Sequence, residues 1–450
     1  MEYRSDTVPE IDDLEALVEN GDDKALRSFL RLLHPADLAF LFDVRREYWN
    51  RLIPLLDIGQ ISDLIEELPD HLRDDMAELL SPSQLTHAFA EMASDDAADV
   101  IADLPKKLAQ AVLAALPPED RQEVIALLKY PEDSAGGKMQ VELVSVQASA
   151  TVDQAVEAIR AAAEDVGDLH YVYVVDQNDH LKGLLPLDKL ILAQANQPVT
   201  ELIEPDLHAV QPSLDQEEVA QMFKRYDLVS LAVVDDKGRL LGRIMHDDVV
   251  DVLEEEVDED IMRMAGAEEP ELVYTNRIFK IATVRLPWLL ANVAGGVLTG
   301  MLLWQFNVTF PNMLALLIFI PAIAAMCGNV GTQSSTIVVR GLATGRIDYN
   351  NLRRMLGKEL AVGAIMGLVC GTVLGLTAKF WQGSDVIGWT VGVSLSAAVV
   401  VSALMGVLVP FLFRLIRIDP AIAAGPLVTT SNDVIGVTIY YLVALLFITP

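Results

Sequence analysis

Between Gly425 and Phe447 the chain reads GPLVTTSNDVIGVTIYYLVALLF, with one carboxylate, Asp433, set well inside an apolar run. A run of this length can cross a bilayer. A carboxylate near the bilayer centre costs about 2.5–3.5 kcal/mol on insertion scales, so Asp433 must face protein or water. It could be a structural group hydrogen-bonded to a neighbouring Ser or Thr, or a residue on an ion path; an intramembrane acid favours the second. Pro426 loosens the backbone beside it, and Thr429, Thr430, Ser431 and Asn432 add oxygens. A second run, PAIAAMCGNVGTQSSTIVVRG from Pro321 to Gly341, offers a counterpart. Gly328 and Gly331 admit another backbone, and Asn329 and Gln333 beside them read as a polar pore wall, with Ser334, Ser335 and Thr336 as further polar groups. There is no His or Cys cluster for zinc or copper. Oxygen ligands with one carboxylate suit Mg²⁺, which keeps several of its waters. One Asp per chain neutralises a divalent ion poorly, so the pattern predicts a homodimer with two copies of Asp433 across a shared pore.

These residues need membrane helices to carry them. Five apolar runs of spanning length stand at roughly 284–306, 312–339, 359–381, 387–413 and 426–449. Of the 33 Lys+Arg and 65 Asp+Glu in the chain, 11 and 5 fall in residues 276–450, leaving 22 and 60 before them. The C-terminal part is therefore net +6 and the N-terminal part net −38. Arg340, Arg346, Arg353, Arg354 and Lys358 surround the loop after span two, and Arg414 and Arg417 flank the loop after span four. The loops after spans one and three, NVTFPN and WQGSD, have no basic residue. Cytoplasmic loops carry the excess of Lys and Arg. The N-terminal part is thus expected in the cytoplasm and the C-terminus outside, in a multi-pass protein of the cytoplasmic (inner) membrane. The N-terminus lacks signal-peptide features. Cys327 and Cys370 suggest neither a disulfide framework nor a Cys-based metal site. An acidic half repels phosphates, which argues against nucleic acid and for cations as partners.

Residues 20–130 are punctuated every 12 residues, at Leu68-Pro69, Leu80-Ser81-Pro82, Met92-Ala93-Ser94, Leu104-Pro105 and Leu116-Pro117. A fixed period implies stacked units with one core, here a superhelix of short helices. Residues 138–253 hold a duplication: Val174-Val175-Asp176 and Gly183 recur 59 residues on as Val233-Val234-Asp235 and Gly242. Each copy reads as strand, turn, strand, helix. Then comes HDDVVDVLEEEVDEDIMRM, with nine acids between Asp247 and Asp260 and an apolar side of Val249, Val250, Val252, Leu253, Val257 and Ile261. Acids at i, i+3 and i+4 share a helix face and repel; divalent ions between such faces turn repulsion into attraction. Asp95 and Asp99 form one such pair, while Asp248, Asp251, Glu255, Glu256, Glu259 and Asp260 spread along the connecting helix. Asp419 is a lone acid before span five.

GNVGTQSSTIVVRGLATG together with DPAIAAGPLVTTSNDVIG resembles the two membrane signatures of the MgtE family of magnesium channels, and the likeness extends over the whole chain. The resemblance implies a mainly α, multi-domain homodimer: a helical domain over 1–135, a tandem CBS pair over 136–199 and 200–246, an acidic connecting helix with linker over 247–275, and five membrane helices over 276–450. It implies a pore between spans two and five in which Asp433 holds hydrated Mg²⁺ and Asn329, Gln333 and Thr429 line the path. It further implies regulatory Mg²⁺ positions at Asp63, Asp95, Asp99, Gly137, Asp215, Glu217, Lys224, Asp227, Asp248, Glu256, Glu259, Asp260 and Asp419, to which the helix-face reading adds Asp251. Some relatives carry Asn where Gly425 stands, Glu where Asp63 stands, and a small residue where Lys224 stands. CBS pairs in some proteins bind adenine nucleotides; Asp188, which aligns with Asp247, is a candidate ribose contact, set against a plain helix-starting aspartate.

The expectation is a Mg²⁺ channel that cytosolic Mg²⁺ closes by filling the acidic regions. The alternative is a secondary transporter exchanging Mg²⁺ or another divalent cation for Na⁺ or H⁺, since Asp433 could equally be a coupling site. A membrane-anchored nucleotide sensor would leave the polar residues of spans two and five unexplained. The sequence has no P-loop and no catalytic constellation, so an enzyme is not expected.

Overall fold

Short helices restart every twelve residues because each turn signal recurs at the same point. In the computed structural model, which describes residues 11–163, 169–204, 207–266, 278–309, 314–347 and 351–448, helices begin at Ile58, Asp70, Pro82, Ser94, Lys106 and Pro118. The starts are built in the sequence. Asp57 with Gln60 and Ser81 with Gln84 form capping boxes, and Pro82 and Pro118 occupy first-turn positions where no N–H is needed. Each helix buries one stripe, such as Ile61, Leu64 and Ile65, or Ala97, Val100 and Ile101.

The duplication folds as two matching three-stranded sheets. In the first, β1 (Ser145–Gln147) pairs parallel with β2 (Tyr171–Val175), which pairs antiparallel with β3 (Leu181–Pro186). In the second, β4 (Ala209–Val210), β5 (Ser230–Val234) and β6 (Leu240–Met245) repeat this order. Val174 faces Gly183 and Val233 faces Gly242, so the repeat seen in sequence is a repeat in register. The copies bury their apolar surface differently. The first closes its own core around Val172, Val174 and Leu185. The second shares the core of the helical domain, where Phe223, Leu231, Val233, Val249 and Val252 join Leu85, Val100 and Ile101.

Contacts divide the chain between Leu253 and Glu254, inside the continuous helix His246–Ala265. The rest of the expected linker, 267–277, lies outside the described residues, as do 310–313 and 348–350 of the expected loops. In the C-terminal unit five helices are long and apolar enough to cross a membrane: Ile281–Phe306, Ala315–Ala343, Leu352–Gln382, Asp385–Leu415 and Gly425–Ile448. They match the five expected runs. Span three starts two turns before its apolar stretch, because the helix continues through Arg353, Arg354 and Lys358. Spans three and four pack backbone to backbone: Gly367, Gly371 and Gly375 face Ser396, Gly392 and Gly388, where added methyl groups would meet main-chain atoms.

Candidate functional site in the membrane unit and its acidic counterparts

Span five opens with a break. Gly425 leaves helical geometry at φ −93, ψ −114, Pro426 follows, and a regular helix resumes at Val428. Thr429 Oγ1 donates back to the Gly425 carbonyl at 3.2 Å. One turn on, Asp433 is half-buried and has no hydrogen-bond or ion-pair partner among the described residues. Its Oδ1 lies 3.7 Å from the point a Cβ on Gly328 would occupy, and the Thr429 methyl lies 3.3 Å from the same point. Thr332, one turn beyond Gly328, brings its Oγ1 to 3.2 Å from Thr429 Oγ1. Gly328 and Thr332 of span two therefore meet Thr429 and Asp433 of span five, and the neighbouring Ser or Thr that a structural carboxylate would need makes no bond to it among these residues.

Asn329 and Gln333 stand on an adjacent face of span two, with Ala325 and Ile337, exposed in the single chain rather than turned onto Asp433. Thr332 was not singled out from sequence, although its spacing of four from Gly328 puts both on one face. Asn432 turns the other way: it is fully buried against Gly331, where any Cβ would overlap its amide. Glu359 of span three, also passed over, is buried and accepts a hydrogen bond from Ser334 Oγ at 2.7 Å.

The soluble acids gather at the start of the connecting helix. Asp95 is buried at 4 % exposure with Oδ1 unpartnered. Burial, with the charges of Asp96, Asp248 and Glu142 next, raises its pKa well above the usual carboxylate value. Burial also pushes Asp99 up to about 7, against the pull of Lys138 at 3.6 Å, Asp248 to about 7, Asp96 to about 6 and Glu66 to about 7. Asp63 is exposed and raised more mildly, first by partial burial and then by Asp57. Glu66, Asp96 and Glu142 were missed from sequence: Asp96 simply follows Asp95, but only packing brings Glu66 beside Asp96 and Glu142 beside Asp95. Ser94 ties this corner together, donating to Glu142 Oε2 at 2.8 Å and accepting from the Val141 N–H at 3.0 Å. Among the described residues no three of His, Cys, Asp and Glu stand as a ready metal cage. The acids are close enough to repel one another.

The far half of the connecting helix, in the C-terminal unit, makes a second corner. Burial is the main cause holding Glu259 at about 7 and Asp260 at about 6, with the Asp419 and Glu256 charges adding to it. Arg263 bridges Glu259 and Asp419, placing a guanidinium where the resemblance implies a metal ion. Met264 packs with Val339 and Ala421, and its carbonyl lies directly against Gly425. That contact explains the glycine: a side chain at 425 would strike the connecting helix here.

Other expected positions lie on further elements, the Gly137 segment running beside Asp215, where the Ala135 N–H donates to the Leu214 carbonyl at 2.7 Å. Asp215 caps the helix Gln216–Tyr226, accepting from the Glu217 N–H at 2.9 Å, and Glu217 accepts from Gln221. Asp227 ends the same helix in the left-handed region at φ 50, next to exposed Lys224. One helix length separates the two ends. Asp251 is exposed, and Glu256 lies part-buried one turn before Asp260. Gly137 is packed where a Cβ would meet the Glu132 carbonyl at 2.7 Å. Asp188 is exposed in a helix first turn and accepts from the Lys189 N–H at 2.8 Å.

This arrangement has known counterparts. Residues 320–443 match the family model described as MgtE, divalent cation transporter, residues 33–133 the MgtE intracellular N domain, and residues 137–196 and 199–255 the CBS domain. The magnesium transporter MgtE of Thermus thermophilus is 36% identical over 97% of this chain and 98% of its own. That of Bacillus subtilis is 30% identical over 96% of each. A crystal structure of the cytosolic domain of the Mg²⁺ channel MgtE in complex with ATP aligns at TM-score 0.52 and 36% identity, covering 54% of this chain and 99% of that one. The chain belongs to the MgtE family of divalent cation transporters.

Proposed function

We propose that this protein is a homodimeric Mg²⁺ channel of the cytoplasmic membrane, closed by Mg²⁺ on its cytosolic side. The observation that carries the reading is Asp433: a carboxylate inside a span, unpaired among the described residues, beside Gly328, Thr332 and Thr429. A charge kept at that cost works on a passing cation. Mg²⁺ gives up its waters reluctantly, so Asp433 acts on a hydrated ion through charge and hydrogen bonds to its waters, with the threonine hydroxyls as further acceptors. The open face of Asn329 and Gln333 is where a second copy of the chain completes the path. The N-terminal domains lie in the cytoplasm and the C-terminus outside.

Gating follows from the acidic corners. Cytosolic Mg²⁺ reaches Asp95, Asp99 and Asp248, with Asp63, Gly137, Asp215, Glu217, Lys224, Asp227, Glu256, Glu259, Asp260 and Asp419 as further positions carried over from the family and Asp251 added from the helix face. Ions there relieve repulsion and favour the closed state, by as much as their affinity for it exceeds that for the open one. An ATP-bound relative supports a nucleotide at the CBS pair here as well, with Asp188 as its candidate contact. The test is Mg²⁺ current in inside-out patches as bath Mg²⁺ is stepped. The wild type closes as Mg²⁺ rises, and Asp433→Ala carries no current while remaining dimeric. Mg²⁺ uptake with no unitary currents and strict dependence on a Na⁺ or H⁺ gradient would assign an exchanger instead.

A further inference from the structure

Glu359 is the most enclosed acid among the described residues of the membrane unit, at 5 % exposure within span three. Its partner among the described residues is Ser334 of span two, whose Oγ donates to Oε2 at 2.7 Å, and no Lys, Arg or His pairs with it there. The walls are apolar. One turn toward the helix start, Met355 and Leu356 pack on Val338 and Val407. One turn the other way, Gly363 lies against Ala403 and Val400 of span four. A carboxyl group is a poor choice if the site only has to stick two helices together, because apolar side chains of similar volume serve as well or better there. What it adds is direction: a hydrogen bond fixes which face of span two is turned toward span three, whereas apolar contact tolerates rotation.

That rotation matters for the permeation path. Gln333 precedes Ser334, and Thr332 and Gly328 lie on the face that meets Thr429 and Asp433. Span two is held from other sides by Gly331 against Asn432 of span five and by Gly406 of span four against the Gly331 carbonyl and Ser334. These glycine contacts set how closely the helices approach, and the Glu359–Ser334 bond sets the angle. We infer that Glu359 is a positioning residue for ion permeation, acting through Ser334 to aim the Gly328–Thr332 face of span two at Asp433. The inference rests on Asp433 lining the path.

The experiment measures Mg²⁺ flux against external Mg²⁺ at low cytosolic Mg²⁺, in full-length protein reconstituted in liposomes, for Ser334→Ala, Glu359→Gln, Glu359→Leu and the double variant Ser334→Ala/Glu359→Leu. Dimer content and thermal midpoint are followed in parallel. A misaimed wall lowers maximal flux by about tenfold or more, as small displacements of a positioned group do, and weakens discrimination against Na⁺. Glu359→Gln keeps an acceptor for Ser334 and restores most of the flux. The double variant is no worse than the worse single one, because both break one bond. Asp433→Ala in the same assay separates failures: if it retains flux, the path itself is wrong, and if it alone loses flux, the positioning role is wrong. Glu359→Gln failing as badly as Glu359→Leu, additive losses, or a lowered thermal midpoint with flux and selectivity intact would each overturn the inference.

Discussion

Asp433 stands alone in its span, while Asp95, Asp96, Asp99 and Asp248 crowd one another at the foot of the connecting helix. Both places hold carboxylates against a desolvation cost, and they meet it in different ways. In hydrocarbon the cost of a single charge is several kcal/mol, so acids there are few and spaced apart. At the half-wet junction of helices the cost is shared: burial and mutual repulsion lift several carboxylates toward neutral pH at once. An ion arriving there relieves many small penalties together. The membrane acid is therefore suited to acting on single ions, and the soluble acids to reporting a concentration. Arg263 marks a third solution, in which the chain brings its own cation to Glu259 and Asp419.

The comparison breaks most visibly at Asp433. Asp433→Asn keeps the shape and removes the charge, and should cut Mg²⁺ flux by about 100-fold. Asp99→Asn should leave flux at low cytosolic Mg²⁺ unchanged. Equal losses in the same uptake assay would erase the distinction between acting and reporting. If the proposed gating holds, replacing Glu256, Glu259 and Asp260 by their amides should leave Mg²⁺ current flowing at high cytosolic Mg²⁺, shifting the inhibitory concentration upward by about tenfold in patch recordings. Arg263→Gln should produce a smaller change, about threefold: less closure without Mg²⁺ and a steeper response to it, since two carboxylates are left facing each other. The mildest effect is on stability. Asp99, Asp248 and Glu66 rise from ordinary values of 3.8, 3.8 and 4.5 to about 7 on folding. Between those limits the folded chain holds more protons than the unfolded one. The stabilisation is full below about pH 4 and is lost as pH rises through about 7. Without divalent ions, the thermal midpoint of the full-length protein should fall by about 2–4 °C between pH 6 and pH 8, and added Mg²⁺ should raise it more at pH 8 than at pH 6. A midpoint that climbs with pH would contradict the raised carboxylates.

Much of this was legible in the residue order. The twelve-residue period, the 59-residue repeat and the five apolar runs are local signals, set by caps, turns and hydrophobic spacing, and each became an element at the expected place. Asp433 was visible too, because an acid in a spanning run is costly wherever the helix packs. Thr332, Glu66, Asp96 and Glu359 were not. Their importance depends on which side chain of a distant segment they meet, and periodicity is silent about rotation between helices. The reason for Gly425 was likewise hidden until the Met264 carbonyl appeared against it.

The sequence alone thus determined what kinds of groups are present and on which elements. Tertiary packing decided which acids share one repulsive corner, that Arg263 fills another, and which face of span two meets Asp433. Burial and charge coupling act through space between residues far apart in the chain, so only the packed structure sets them.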